Sequence, residues 1–204
     1  MNPRIIGILI YALVLPVWGA DPIVPGSKKD VVRYAVDPVH SYVGFGVKHM
    51  LISTVRGEFS QFKGWVEVGK TNPLRALSGE VEIKSLSTRN SKRDGHLVSG
   101  DFFNAKKFPK MSFRSLEIKN GEGGAFILTG DLKLRGVSQK VIFTGQIASP
   151  ITDPWGHKRL GLTLEAEIDR TQFGMTWSKL LDSGGLVVGK KVKINLELEA
   201  VRKP

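Results

Sequence analysis

Apolar and polar side chains alternate along four long segments of this chain, and that period of two constrains the fold more than any other feature. Leu160, Leu162, Leu164, Ala166 and Ile168 interleave with Gly161, Thr163, Glu165, Glu167 and Asp169. Val192, Ile194, Leu196, Leu198 and Ala200 interleave with Lys191, Lys193, Asn195, Glu197 and Glu199. Phe126 to Arg135 and Leu77 to Ser85 repeat the pattern. Successive side chains of a strand point to opposite faces. Each segment therefore has one wet face and one dry face, as in antiparallel sheet.

Weaker alternation runs through Tyr42 to Met50, Val55 to Val68, Met111 to Ile118 and Val141 to Ala148, which brings the count to about eight strands. Gly79, Gly130 and Gly145 fall on the dry face, where a missing side chain suits a bend or a close approach in a curved sheet. The expected fold is all-β: an eight-stranded antiparallel barrel whose interior holds side chains or one small ligand. A two-sheet sandwich with a filled core is the alternative. An outer-membrane barrel is excluded, because Lys133, Lys193 and Glu197 would face lipid, at a cost of about 2–4 kcal/mol for a lysine near the midplane.

The first residues read as an address. Arg4 precedes an apolar run from Ile5 to Leu15, Pro16 breaks it, and small residues follow at Gly19 and Ala20. This is the layout of a secretory signal peptide over residues 1–20, cut after Gly19 or Ala20. The run is too short for a spanning helix, which needs about 20 apolar residues. Residues 21–30, with Pro22, Pro25 and Gly26, read as a disordered lead-in, and 31–204 as a single domain. The chain has no cysteine, so lipoprotein anchoring, disulfides and c-type haem attachment are closed to it. The expected location is the periplasm. With 30 basic and 19 acidic residues the chain is strongly cationic, which suits anionic partners. The cations are scattered rather than striped, so nucleic acid is not expected. An anionic membrane surface is a candidate partner, and a homodimer another.

Two pieces break the strand pattern. One spans residues 89–107, with a short helix through Val98 and a second one capped by Asp101 and stopped before Pro109. The other spans 171–185 and carries Phe173, Met175, Trp177, Leu180 and Leu181. Both are expected to be short helical segments covering a barrel mouth. The histidines His40, His49, His96 and His157 have no zinc-site spacing, so no metal is expected. His49 shares the parity of Val43, Phe45 and Val47, and points where apolar residues point. It reads either as a hydrogen-bonded core histidine or as a polar contact at a pocket end, with Arg93, Asp94 and His96 as partners. Asp94 reads equally well as a structural group, paired with Arg93 or accepting backbone N–H bonds at a helix end. No nucleophile elbow or phosphate loop is present, so catalysis is not expected. Phe45, Phe102, Phe103, Phe113, Phe143 and Trp177 either line a cavity or fill a core, and Val47, Leu97, Leu128 and Met175 share that reading.

The order of motifs carries a family resemblance. It begins at Tyr34-Ala35-Val36-Asp37-Pro38-Val39-His40-Ser41 and runs through Arg93-Asp94-Gly95-His96-Leu97 and Asp101-Phe102-Phe103-Asn104. Gly130 to Val137, Arg170-Thr171-Gln172-Phe173-Gly174-Met175 and Val188-Gly189-Lys190 complete it. The chain resembles the YceI-like family, lipocalin-like periplasmic proteins that bind polyisoprenoids. The resemblance implies an extended eight-stranded barrel with a long apolar cavity. It implies a bound isoprenoid or fatty lipid with a small polar head, and no required cofactor. Transport, storage and stress protection are the roles it suggests. The competing reading is an enzyme acting on a lipid pyrophosphate through His49, Asp94 and His96.

Overall fold

A computed structural model of the chain describes residues 31–71, 73–180 and 185–202. The expected signal peptide and lead-in lie outside the described residues, as does part of the second irregular piece. The strands are β1 (Val31–Val36), β2 (Tyr42–His49), β3 (Ser53–Phe59), β4 (Phe62–Gly69), β5 (Leu74–Glu82) and β6 (Leu86–Ser87). After helix α1 (Ser91–Val98) come β7 (Lys110–Asn120), β8 (Ala125–Leu134), β9 (Val137–Ile147), β10 (Ile151–Thr152), β11 (Lys158–Asp169) and β12 (Val188–Arg202).

The ring runs β11-β9-β8-β7-β5-β4-β1-β12 and closes where β12 pairs with β11 from Arg159↔Val201 to Asp169↔Lys191. Closure removes the exposed edges that an open sheet would offer. The expected eight strands are recovered in a broken form. β1 and β2 lie end to end along one edge of β12, as do β3 and β4 along their neighbours. The stretch from Val55 to Val68 is thus two strands, interrupted at Ser60 and Gln61. The break between β1 and β2 is held by Ser41, whose hydroxyl donates to the Glu199 carbonyl at 3.2 Å and accepts its N–H at 2.9 Å. β1 shows no clear alternation, since its sequence is Val-Val-Arg-Tyr-Ala-Val and only Tyr34 is buried.

The dry faces point inward. In β8, Phe126, Leu128, Leu132 and Leu134 are buried while Ala125, Ile127 and Lys133 are exposed. The end of the barrel holding the β1 and β4 termini is solid: Val66, Leu128 and Ala200 have no exposed surface there, and Tyr34, Val68, Leu74 and Leu160 pack around them. At the other end β6 leaves β5 to pair with β3, through Phe59↔Leu86, so it no longer follows β7. α1 and residues 99–109 fill the opening.

Residues 101–107 form turns rather than the expected second helix. Asn104 is left-handed at φ 50°, and the N–H groups of Phe103, Asn104 and Ala105 donate back to the carbonyls of Leu97, Ser99 and Val98. Those bonds tie the segment onto α1 and take three successive donors out of an i to i−4 ladder. In the other irregular piece, Arg170–Phe173 make a short 3-10 helix, ended by Gly174 at φ 74°.

Two hairpins at this end turn through a pair of left-handed residues. Between β8 and β9 these are Arg135 and Gly136. Between β2 and β3 they are Met50 and Leu51, at φ 51° and 66°. A left-handed backbone costs roughly 1–2 kcal/mol per residue that carries a Cβ.

At the solid end, Asp153 is buried in the turn to β11. Desolvation pushes its carboxyl up, but three donors outweigh that: Arg159 Nε at 2.7 Å and the N–H groups of His157 and Trp155 at 2.8 and 3.0 Å hold it at about 2. A carboxyl held below its usual value stabilises the fold above pH 4, and that contribution is lost as pH falls from about 4 through 2. Asp153→Asn is therefore expected to lower the melting temperature at pH 6 and to shallow its decline between pH 4 and 2. Thermal scans across that range check this. Some slope remains from Asp37, Glu80 and Asp169, all of which are also lowered.

Candidate functional site

Between the solid end and the cap the inward side chains do not meet, and a cavity of about 180 Å³ remains. β12 supplies Val192, Ile194 and Leu196, and β2 supplies Val43, Phe45 and Val47. The opposite wall is Met111 and Phe113 of β7, Leu132 and Leu134 of β8, and Phe143 of β9. Leu97, Phe102, Phe103 and Met175 close it from the capping segments. Apolar cavities of about 150 Å³ stay dry and take apolar guests.

Missing side chains make room for the rings that shape it. Phe45 lies across Gly57 of the neighbouring strand, where a Cβ would stand 2.4 Å from its ring. Phe113 lies likewise across Gly130, at 2.3 Å. Phe113 then meets Phe143 edge to face, with ring centroids 5.1 Å apart. Of the inward glycines of the alternation pattern, Gly130 seats Phe113 and Gly145 seats Phe126, whereas Gly79 faces the Lys63 carbonyl.

Eight of the ten apolar residues expected at the site line this cavity: Phe45, Val47, Leu97, Phe102, Phe103, Phe113, Phe143 and Met175. Leu128 does not, because it is packed inside the solid end. Trp177 sits behind the lining, its ring 5.3 Å from that of Phe102 and 4.8 Å from that of His96.

None of the four polar residues expected at the site lines the cavity. Arg93 and Asp94 instead bind α1 to the end of β6. Asp94 Oδ1 accepts the Thr88 N–H at 2.9 Å and the Thr88 hydroxyl, while Arg93 donates to Thr88 Oγ1 and to its carbonyl, both at 2.7 Å. The sequence reading of Asp94 as a structural acceptor is the one that this geometry matches. His96 Nε2 lies 2.8 Å from Asp101 Oδ2, so Asp101 holds the histidine rather than capping a helix. His49 ends β2 half-buried, and its imidazole has no hydrogen-bond partner among the described residues. Asp37, His40 and Glu199 have the composition of a metal site, with donor atoms within 4.8 Å of one another. Their carboxylates are already compensated by Arg159, which bridges Asp37 and Glu199.

Lys63, Ser78, Glu80 and Ser112 also border the cavity, but the one buried polar residue among its described lining is Arg170, 3 % exposed. It has no carboxylate ion-pair partner among the described residues. Its guanidinium donates to the carbonyls of Gly189 at 2.9 Å, Val188 at 3.1 Å and Met175, and lies over Phe102. Burial pushes it below its usual value, against the nearby Asp169 carboxylate. Arginine stays charged throughout. Its position was legible, since Arg170 continues the inward parity of Leu160 to Ile168. Its charge argued the other way.

A family model for the YceI-like domain matches residues 34–200. The chain belongs to the YceI-like family. A UPF0312 protein of Staphylococcus aureus is 30 % identical over 172 residues, which are 83 % of this chain and 97 % of that one. A UPF0312 protein of Photorhabdus laumondii is 36 % identical over 135 residues, 66 % and 70 % of the two chains. Among solved structures, a Campylobacter jejuni YceI protein superposes with a TM-score of 0.68 at 28 % identity, covering 77 % of this chain and 90 % of its own. A polyisoprenoid binding domain from Saccharophagus degradans, implicated in plant cell wall breakdown, superposes at 0.60 with 13 % identity, covering 84 % and 99 %. These likenesses match the YceI-like barrel that the order of motifs implies.

Proposed function

We propose that this YceI-like protein holds a lipid with a polyisoprenoid or similar chain in its barrel, as a periplasmic carrier or store. The observation that carries the reading is the apolar, aromatic-lined cavity with a buried cation at its wall. Each buried CH₂ contributes about 0.8 kcal/mol, so about ten give roughly 8 kcal/mol gross, a micromolar affinity before the cost of ordering the chain. A long apolar tail suits such a site better than a small polar substrate does. Three of the five N–H groups of Arg170 are bonded to carbonyls, and the others, which bond no described residue, suit the oxygens of a phosphate or carbonyl head. The polyisoprenoid binding domain of Saccharophagus degradans shares the fold and supports the choice of lipid class. The apolar leader of residues 5–15 supports the periplasmic location. Catalysis on a lipid pyrophosphate is disfavoured, because Asp94 and His96 are committed to Thr88 and Asp101 away from the cavity.

Native mass spectrometry with organic extraction, on protein purified from its own source, tests the reading. A discrete added mass matching a prenyl lipid is expected. Protein that carries nothing and takes up no added prenyl lipid would overturn it.

A further inference from the structure

The turn between β2 and β3 contradicts its own sequence. Its central residues are both left-handed, and the Ile52 N–H donates to the His49 carbonyl at 3.2 Å. The two left-handed residues sit in a three-residue connection, since His49 pairs with Ser53, and a turn with both central residues left-handed selects Asn-Gly or Asp-Gly, which take that backbone with little strain. The β8–β9 turn obeys the rule with Gly136. Here Met50 and Leu51 occupy both positions and Ile52 follows. The described residues leave them largely uncovered: Met50 is 40 %, Leu51 68 % and Ile52 84 % exposed. Strained backbone and exposed apolar side chains at one place break two rules of a stable fold, and such breaks mark functional sites.

The surroundings indicate what the turn meets. Leu180, 78 % exposed, bridges to Leu186, the adjoining Val187 carbonyl accepts the Met50 N–H at 2.9 Å, and a Cβ at Gly185 would stand 3.3 Å from Leu51. Lys48, Lys179 and Lys190 are exposed around this tip, and none makes an ion pair with a described carboxylate. Lys48 packs against Gly189, next to Lys190. The tip also adjoins the cavity, since His49 pairs with Val188, a lining residue. A small apolar tip ringed by lysines fits the interface of a bilayer, where the apolar groups enter the acyl boundary and the lysines meet anionic heads.

We infer that the Met50–Leu51–Ile52 turn is a docking tip for an anionic phospholipid bilayer, with Lys48, Lys179 and Lys190 on the head groups. It would set the cavity end of the barrel against the membrane. This inference goes beyond lipid holding, and its test requires no lipid in the cavity.

The experiment is co-sedimentation of the purified chain with vesicles of phosphatidylglycerol and phosphatidylcholine, or of phosphatidylcholine alone. Binding to the anionic vesicles is expected, weakening between 0.1 and 1 M salt as the screening length falls from about 10 to 3 Å. The combined variant Met50→Asn, Leu51→Gly, Ile52→Ser gives the turn its preferred sequence. It should melt no lower than the parent protein while its vesicle partitioning falls by about 100-fold or more, since each Leu-sized side chain contributes tenfold or more when buried. Lipid extracted from the cavity should be unchanged, which separates this test from that of the cavity. Equal partitioning of variant and parent, or none by the parent, would overturn the inference. So would a parent dimer that the variant dissolves without any vesicle binding, which would assign the tip to a second copy of the chain.

Discussion

Protein carrying Ile194→Asp is expected to purify free of lipid while keeping its fold. Ile194 stands in the middle of β12, between Ala166 and Phe45 in the ladders, and its side chain faces the cavity half-buried. A carboxyl there finds apolar neighbours and no donor. It either stays ionised and draws water into the cavity or takes up a proton, and in both cases the apolar tail loses its contacts. The barrel tolerates the change because β12 is hydrogen-bonded through its backbone on both edges. Burying one such group costs about 1–3 kcal/mol, or roughly 2–12 °C of melting temperature in a domain of this size. Extracted lipid should fall by more than tenfold. Lipid retained at the parent level in folded Ile194→Asp would remove the cavity from the account. Leu128→Asp is no substitute, because Leu128 has no exposed surface and its replacement measures folding.

The largest loss of stability is expected from Arg170→Met. Methionine fills much of the same volume, yet it leaves the carbonyls of Met175, Val188 and Gly189 without their donor. Hydrogen bonds to a charged group contribute about 1.5–3 kcal/mol each, and an abandoned buried acceptor adds its own cost. A loss on the order of 3 kcal/mol, and hence about 6–12 °C, is expected in thermal scans. Arg170→Lys should recover little of it, since one ammonium cannot reproduce a planar fork aimed at several carbonyls. Binding measured well below both melting temperatures separates the two roles of this residue. If Arg170 also meets the head group, Arg170→Met weakens a prenyl phosphate more than a headless hydrocarbon of equal length. Equal weakening would confine it to holding the cap.

Strand identity and facing were legible because a period of two is imposed by backbone geometry alone. What alternation cannot report is whether inward side chains touch. Leu128 and Leu132 share a strand and a parity, yet the first is walled in and the second lines the cavity. The difference arises from what packs across the barrel from each, a property of the closed ring and not of β8. The polar site was harder to read for a different reason. Arg93, Asp94 and His96 sit in a motif rich in chemistry, but the same residue types serve to fasten a helix to a strand, as they do around Thr88 and Asp101. Arg170 carried the opposite signal: its parity pointed inward and its charge outward. Parity prevailed, because carbonyls at the start of β12 replace the water it would otherwise need.

Of the fifteen residues of β12, Lys191 to Val201 pair with β11 on one edge, and the strand pairs with both β1 and β2 on the other. Contacts between the first strands and the last span most of the chain, and pairings so distant in sequence are slow to form. During folding the inner faces of the earlier strands therefore remain an open apolar trough until this single segment arrives to shut it. For that interval the trough can recruit either the final strand or any other edge within reach. Closure is a race run by the carboxyl-terminal segment, and whatever delays that segment lengthens the time during which the chain can aggregate.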